Sequence, residues 1–415
     1  MKRIKICILL ISLLLAGCSS FNSYPTDDEY HFETDSQYTF CNQGKERKFA
    51  QSEDGYYFAL TLQGNHFLFF TDKETMETVP VCNKPNCLHY AEASSEKRSL
   101  CNAYFNGIYY MTSVFYNNGK LYVPSRDGQS QTTILYEFSL DGSARKELFH
   151  IDSNGLYGTD LLFHRGYCYA MVNYYDEKQN PYVKLLRYSL DNPGREPEIL
   201  LEQGEEKGSY ERALLFSDLS AYGNHLYFSG NENGVRQFFA MDLRDKTPQP
   251  ERLFTAVDAD TAHLRNHMTI FGGRLLAAFN NDDYRMEQDL SLEEMPAVMY
   301  RSALDGSSAQ PWMDVTYSPF AADDRYLYRW SFEPIARESG EMYIRIYDAD
   351  GKLLVEENFY DELPLMQDLY VASDEKVFIV NRSNDTVWYF SKSEIETGTI
   401  TPKLLIDCSA YATGS

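Results

Sequence analysis

"ILYEFSLDGSARKELF", residues 134–149, reads as an alternating strand, an Asp-Gly turn and a second short strand. Asp-Gly after an alternating run signals a hairpin, because both turn positions tolerate the positive φ a tight hairpin needs. Just upstream, "NGKLYV" (118–123) supplies another strand opening from a turn, and "IYYMTSVFY" (108–116) one before that. The unit is therefore four strands long. The same phrase recurs along the chain. Its second strand opens at "DGYYFAL" (54–60), "RGYCYAMV" (165–172), "GNHLYFSG" (223–230), "GGRLLAAF" (272–279), "DRYLYRW" (324–330) and "DEKVFIV" (374–380). With 118–123 these make seven openings, at steps of about fifty residues. Seven four-stranded units predict an all-β, seven-bladed β-propeller over 38–415, in which stacked blades bury both sheet faces and ring closure leaves only short edges.

Composition agrees. Thirty-three tyrosines and twenty-five phenylalanines suit strands lying between two sheets, where a wide apolar ring with a polar tip packs well. A two-domain β-sandwich is the alternative, since short, evenly spaced strands suit it too. Labelling the strands A to D from the axis outward, A–B and C–D turns share one face, and B–C and D–A connections share the other. The first set reads tight. The second includes 173–181, 203–212, 280–297 and 331–341, all rich in charge. Long insertions gathered on one face of a repeat protein mark its binding side. On that rim Tyr174, Tyr175, Asp176, Asp282, Asp283, Tyr284 and Arg285 combine aromatic platforms with charge and are the candidate ligand-binding residues.

"VCNKPNCLHYAEASSEKRSLCNAY" (81–104) gathers three of the eight cysteines and a histidine. Cys82, Cys87, His89 and Cys101 form a Cys3His zinc set by composition, but the spacing C-x4-C-x-H-x11-C is not one of the common finger spacings. A disulfide joining two of the three cysteines is the leading reading outside a cell, with zinc second. Either device would pin a long loop on the binding rim. Cys168 alternates with apolar neighbours and reads as a core residue; Cys41 and Cys408 flank the ring and could pair where its ends meet.

The chain opens with Met-Lys-Arg-Ile-Lys, an apolar run from Ile8 to Leu15, and Leu15-Ala16-Gly17-Cys18. That order of charge, short apolar run and small residues is a secretory signal over 1–18. The quartet resembles the lipobox of bacterial lipoproteins, which implies acylation of Cys18 and a lipid-anchored, outward-facing protein. Residues 19–37 are polar, acidic and without apolar periodicity, and predict a flexible tether. The formal charge of -23 falls to -26 once Lys2, Arg3 and Lys5 are removed with the signal, so nucleic acid is excluded as a partner.

The recurring "LYxxxLDGS" phrase, the lipobox and "CNKPNCLH" followed by "CNAY" together resemble a family of propeller lipoproteins of Gram-positive bacteria, related to TolB-like and low-density-lipoprotein-receptor-like propeller domains. The resemblance implies fold and tethering and carries no activity. No G-x-S-x-G, H-E-x-x-H or phosphate loop is present. The expected function is non-catalytic binding of an extracellular glycan, peptide or partner protein. The alternatives are a glycan hydrolase or lyase using rim carboxylates, and a scaffold of an envelope complex.

Overall fold

Seven antiparallel sheets of consecutive strands make up the body in a computed structural model. It describes residues 24–37 and 47–408, apart from Gln63, Ala93, 106–112, 127–131, 153–158, 176–180, 205–216, 233–234, 256–263, 282–295, 317, 332–339, 364–367 and 382–385. Blade 3 shows the pattern: Thr159–His164, Tyr167–Tyr175, Pro181–Ser189 and Glu198–Gly204 pair in that order, each antiparallel to the last. The first strands of successive blades touch one another, so they line the axis. The fold is a seven-bladed β-propeller, and the sandwich alternative is excluded.

The core lies between blades because both faces of every sheet are covered. A separate apolar cluster fills each interface from blade 1–2 round to 5–6, and a larger one runs through blades 6, 7 and 1. Among the described residues, closure exchanges no strand between the ends of the chain: blade 1 starts at Phe49 and blade 7 is built from Asp368–Asp407. Side chains close the ring instead. The Phe378 ring lies 4.7 Å from Tyr56 and 5.3 Å from Phe49. Tyr56 Oη donates to Asp374 Oδ2 at 2.7 Å, and the Ser373 N–H donates to Gln51 Oε1 at 2.8 Å. Phe378→Ala should therefore cost about 3–5 kcal/mol, the usual loss for a buried aromatic truncated in a core. Urea unfolding measures it, and a loss below about 1 kcal/mol would show that closure rests elsewhere.

The two turn sets differ in chemistry. Asn118-Gly119, Arg165-Gly166 and Gly272-Gly273 are two-residue A–B turns with positive φ at both positions, as the strand twist favours. In the Asp-Gly turns only the glycine is left-handed; the aspartate instead accepts the backbone N–H two residues on, Ser143 to Asp141 and Ser307 to Asp305. The asymmetry of the two faces is sharp near the axis and weaker outside. A–B turns are short throughout, and the longest B–C connections are those within blade 5 (282–295) and within blade 6 (331–342). The C–D connection of blade 7 nevertheless spans 392–402 and holds a short helix, Lys392–Ile395.

The sequence expectation of a flexible tether fails for Tyr24–Gln37. This segment is a strap lying across the A–B turns. Arg165 explains why. Its guanidinium donates to both oxygens of Asp35 (2.8 and 3.1 Å), to Asn224 Oδ1, and to the carbonyls of Pro25, Asp27 and Glu29. Asn224 in turn donates to the Thr26 and Asp27 carbonyls. Asn117 reaches Thr34 O, the Phe32 ring packs on Tyr116, and Gln37 exchanges two hydrogen bonds with the Gln51 backbone, as a neighbouring strand would. At Gly223 the strap comes so close that a Cβ would sit 2.6 Å from Asp28 O, and φ is +56°.

Candidate metal centre and the two faces

Blades 2 to 7 each carry a register shift in the C–D ladder, for example between Leu135 and Tyr136 or between Val387 and Trp388. Blade 1 has an excursion at nearly the same place. Its outer strand runs Thr78–Pro80 against Thr71–Phe69, and Val81 N–H still bonds Leu68 O. The chain then leaves the sheet after Val81 and returns at Ala103, whose carbonyl accepts from Leu68 N–H, and Tyr104–Phe105 rejoin it against Phe67 and His66 in the same direction. The cysteine segment is thus inserted within strand D, at the outer edge, and corrects the expectation of a rim loop between blades. A β-bulge tolerates extra residues because the ladder is already broken there.

Cys82 and Cys101 stand at the two ends of the excursion, so whatever joins them restores the strand. The ligand atoms of Cys82, Cys87, His89 and Cys101 all lie within 4.8 Å of one another, and His89 Nδ1 is 3.5 Å from Cys101 Sγ. The three cysteines are free thiols, in place of the expected disulfide. Local backbone brings the ligands round. Asn86 and His89 are left-handed (φ 60° and 50°), a conformation that costs most side chains energy and survives where surrounding contacts impose it. Ser94 caps the helix Ser95–Ser99 by accepting from Lys97 N–H, and that helix delivers Cys101. Tyr90 packs edge-on against Phe67, and Asn102 Nδ2 donates to Gly142 O of blade 2 at 2.7 Å. Gly142 must lack a Cβ, which would lie 2.4 Å from the Val81 carbonyl carbon.

The electrostatics suit a cation. Burial raises the Cys82 thiol, but backbone N–H groups of Lys84 and Asn102, then the Cys101 and Cys87 thiols, donate to its sulfur and bring it net below the ordinary thiol range. Burial, then the neighbouring Cys82 and Cys87, push Cys101 up to about 12. Three sulfurs this close cannot all ionise against each other unless a positive ion sits among them. Burial lowers His89, which keeps its imidazole neutral and able to ligate. The cluster could hold a metal.

The rim candidates fare differently. Tyr174 and Tyr175 belong to strand B of blade 3. Tyr174 is buried, stacks on its cross-strand partner Tyr182 at 5.0 Å and donates from its hydroxyl to Asp152 O at 2.6 Å, so it is a packing residue. Asp176, Asp282, Asp283, Tyr284 and Arg285 lie outside the described residues, as does Cys41. Cys168 and Cys408 are both buried.

The short-turn face is occupied. Beside the strap, between it and blades 6, 7 and 1, lies a pocket of about 340 Å3 lined by Tyr30, Phe32, Gln51, Asp323, Arg325 and Glu375. Lys392 Nζ is buried there, 2.7 Å from Asp323 Oδ2.

Burial also makes the strap acid-sensitive. His164 is fully buried under it. The Ser36 N–H donates to Nδ1, so Nε2 carries the proton and donates to Gly223 O at 2.7 Å. Burial, opposed in part by Asp35, lowers His164 to about 4. The unfolded chain binds this proton below about 6.5 and the folded one only near 4, so stability should fall as pH drops through that window, by about 1.4 kcal/mol per unit at the steepest. Urea midpoints at pH 7 and pH 5 test this. His164→Asn should flatten this part of the profile.

No family model and no curated protein matches the chain. Solved structures do. Over 90% of its length the chain is similar to 50% of a prolyl endopeptidase chain, at 11% identity and a TM-score of 0.51. The fold is what they share. The β-propeller domain of the Trilobed protease from Pyrococcus furiosus matches 89% of this chain with 99% of its own (10% identity, TM-score 0.47). TolB from Acinetobacter baumannii matches 86% with 78% (13% identity, TM-score 0.38). The chain spans half the length of the prolyl endopeptidase it matches, and at these identities activity does not transfer.

Arg165 and the strap are the residues that sequence reasoning missed. A signal was present: Arg165 occupies a two-residue turn position where Asn or Gly is the usual choice, and an arginine held at φ 47° there needs a compensating contact.

Proposed function

We propose that this chain is an extracellular lipoprotein, anchored through Cys18, whose propeller binds a glycan, peptide or partner protein on the B–C and D–A face without turning it over. One observation carries the choice of face. The mouth of the ring on the short-turn side is crossed by the chain's own strap, held by buried charge and aromatic contacts, while the longest B–C connections, 282–295 and 331–342, belong to the opposite side. Rigid blades can carry such connections without loss of core. The metal centre is distinct from this site and is structural, mending the interrupted outer strand of blade 1. Its ion is zinc, because three sulfurs and one imidazole form the donor set that tetrahedral zinc prefers over harder cations. A Zn–S length of about 2.3 Å places tetrahedral ligands about 3.8 Å apart, within the spread of this cluster.

Glycan and peptide arrays with the purified mature chain, followed by product analysis on each hit, test the function. Binding without products, lost when 282–295 is replaced by a short Gly-Ser linker, is the expected outcome. Release of cleaved product from a bound glycan would sink the non-catalytic reading, and binding unaffected by the replacement would move the site elsewhere.

A further inference from the structure

Tyr24 is fixed to blade 3. Its ring lies against Gly166 in the A–B turn, and its hydroxyl donates to Asp191 in the C–D turn at 3.2 Å. Both turns belong to the short-turn face. Six residues lead from Cys18 to Tyr24, and an extended chain advances at most about 3.6 Å per residue, so Cys18 stays within roughly 22 Å of Tyr24 whatever path the link takes. A blade strand of eight residues is about 27 Å tall. The link is therefore too short to bring Cys18 round to the opposite face.

We propose that the strap is an orienting clamp: it converts a lipid on Cys18 into a fixed pose, with the short-turn face toward the membrane and the B–C and D–A face toward the surroundings. The inference deepens the proposed function and rests on its anchoring reading. Without the clamp the free link would run from Cys18 to Gln37, nineteen residues or up to roughly 68 Å, and would let the ring tumble. With it, six residues of slack remain. Attraction does not set the pose, because Asp27, Asp28 and Glu29 put carboxylates on the clamped face. Their repulsion from anionic lipid dies away over about 8 Å at physiological salt, well inside the length of the link. The covalent connection sets it.

The test uses the mature chain without Cys18, ligated enzymatically at Ser19 to a lipid in phosphatidylcholine vesicles whose headgroups carry an acceptor dye. A donor dye is clicked onto an azide-bearing residue at Ala309, exposed in the C–D turn of blade 5, or at Asp361, exposed in the D–A connection after blade 6. Energy transfer should be several-fold greater from position 309 than from 361, and Arg165→Ala should bring the two together. Equal transfer in the unmutated chain, or more from 361, overturns the clamp. A parallel arm expresses the chain from Met1 and weighs its N-terminal peptide. An unacylated Cys18 there overturns the anchoring reading alone, because the ligated arm reports the clamp without it.

Discussion

On the proposed zinc reading, Cys101→Ser is expected to abolish binding of one zinc per chain and to destabilise blade 1 by about 4 kcal/mol or more, the range in which loss of a structural metal falls. The effect is large because a bound ion would do two things at once. It would neutralise three sulfurs packed within 4.8 Å, and it would tie Cys82 to Cys101 across an excursion that otherwise leaves the outer strand in two pieces. Chelation of the unmutated protein should lower the melting temperature to the same extent and expose three titratable thiols. His89→Cys keeps four soft ligands and should keep the metal. Protein purified without chelator that contains no transition metal and melts alike with and without added zinc would remove the metal from the account, as would a disulfide joining two of the three cysteines.

Arg165→Ala should cost about 3–5 kcal/mol, the usual result of leaving one charge of a buried pair alone. Asp35 is fully buried and would be left without the guanidinium that now holds both its oxygens. The strap should then become cleavable by protease between residues 24 and 37, which the unmutated protein resists. Arg165→Lys should not rescue it, since an ammonium cannot reproduce a fork that serves Asp35, Asn224 and three carbonyls together. Arg165→Asn with Asp35→Asn should recover part of the loss, because the pair is then uncharged and Asn accepts the left-handed turn more readily than Arg. A strap that stays protease-resistant in Arg165→Ala would show that its aromatic contacts, Phe32 on Tyr116 and Tyr30 on Tyr222, hold it unaided.

The blades were legible because their determinants are local. Alternation in "RGYCYAMV" or "DEKVFIV" marks a two-residue period that can be read within eight positions, and the structure places strands Tyr167–Tyr175 and Lys376–Asn381 there. The Asp-Gly turns were located correctly, although their aspartates act as acceptors and only the glycines take positive φ. The candidate metal ligands could be named from composition. Their convergence could not, because C-x4-C-x-H-x11-C matches no common finger and the left-handed turns at Asn86 and His89 are imposed by packing. Tyr174 misled for the opposite reason: an aromatic next to a charged loop looks exposed until its cross-strand partner Tyr182 is found to cover it.

Seven aromatic-rich units, their turns and the Cys3His donor set are properties of short windows, and the sequence by itself determined them. Tertiary structure alone decided that the cysteine segment splits a strand, that the ring closes through Phe378, Tyr56 and Asp374 without exchanging strands among the described residues, and that an acidic stretch with no apolar period becomes a strap. The physical reason is distance along the chain. Arg165 meets Asp35 across 130 residues and Tyr56 meets Asp374 across 318, and the desolvation that makes such polar pairs specific exists only once the blades have brought them together.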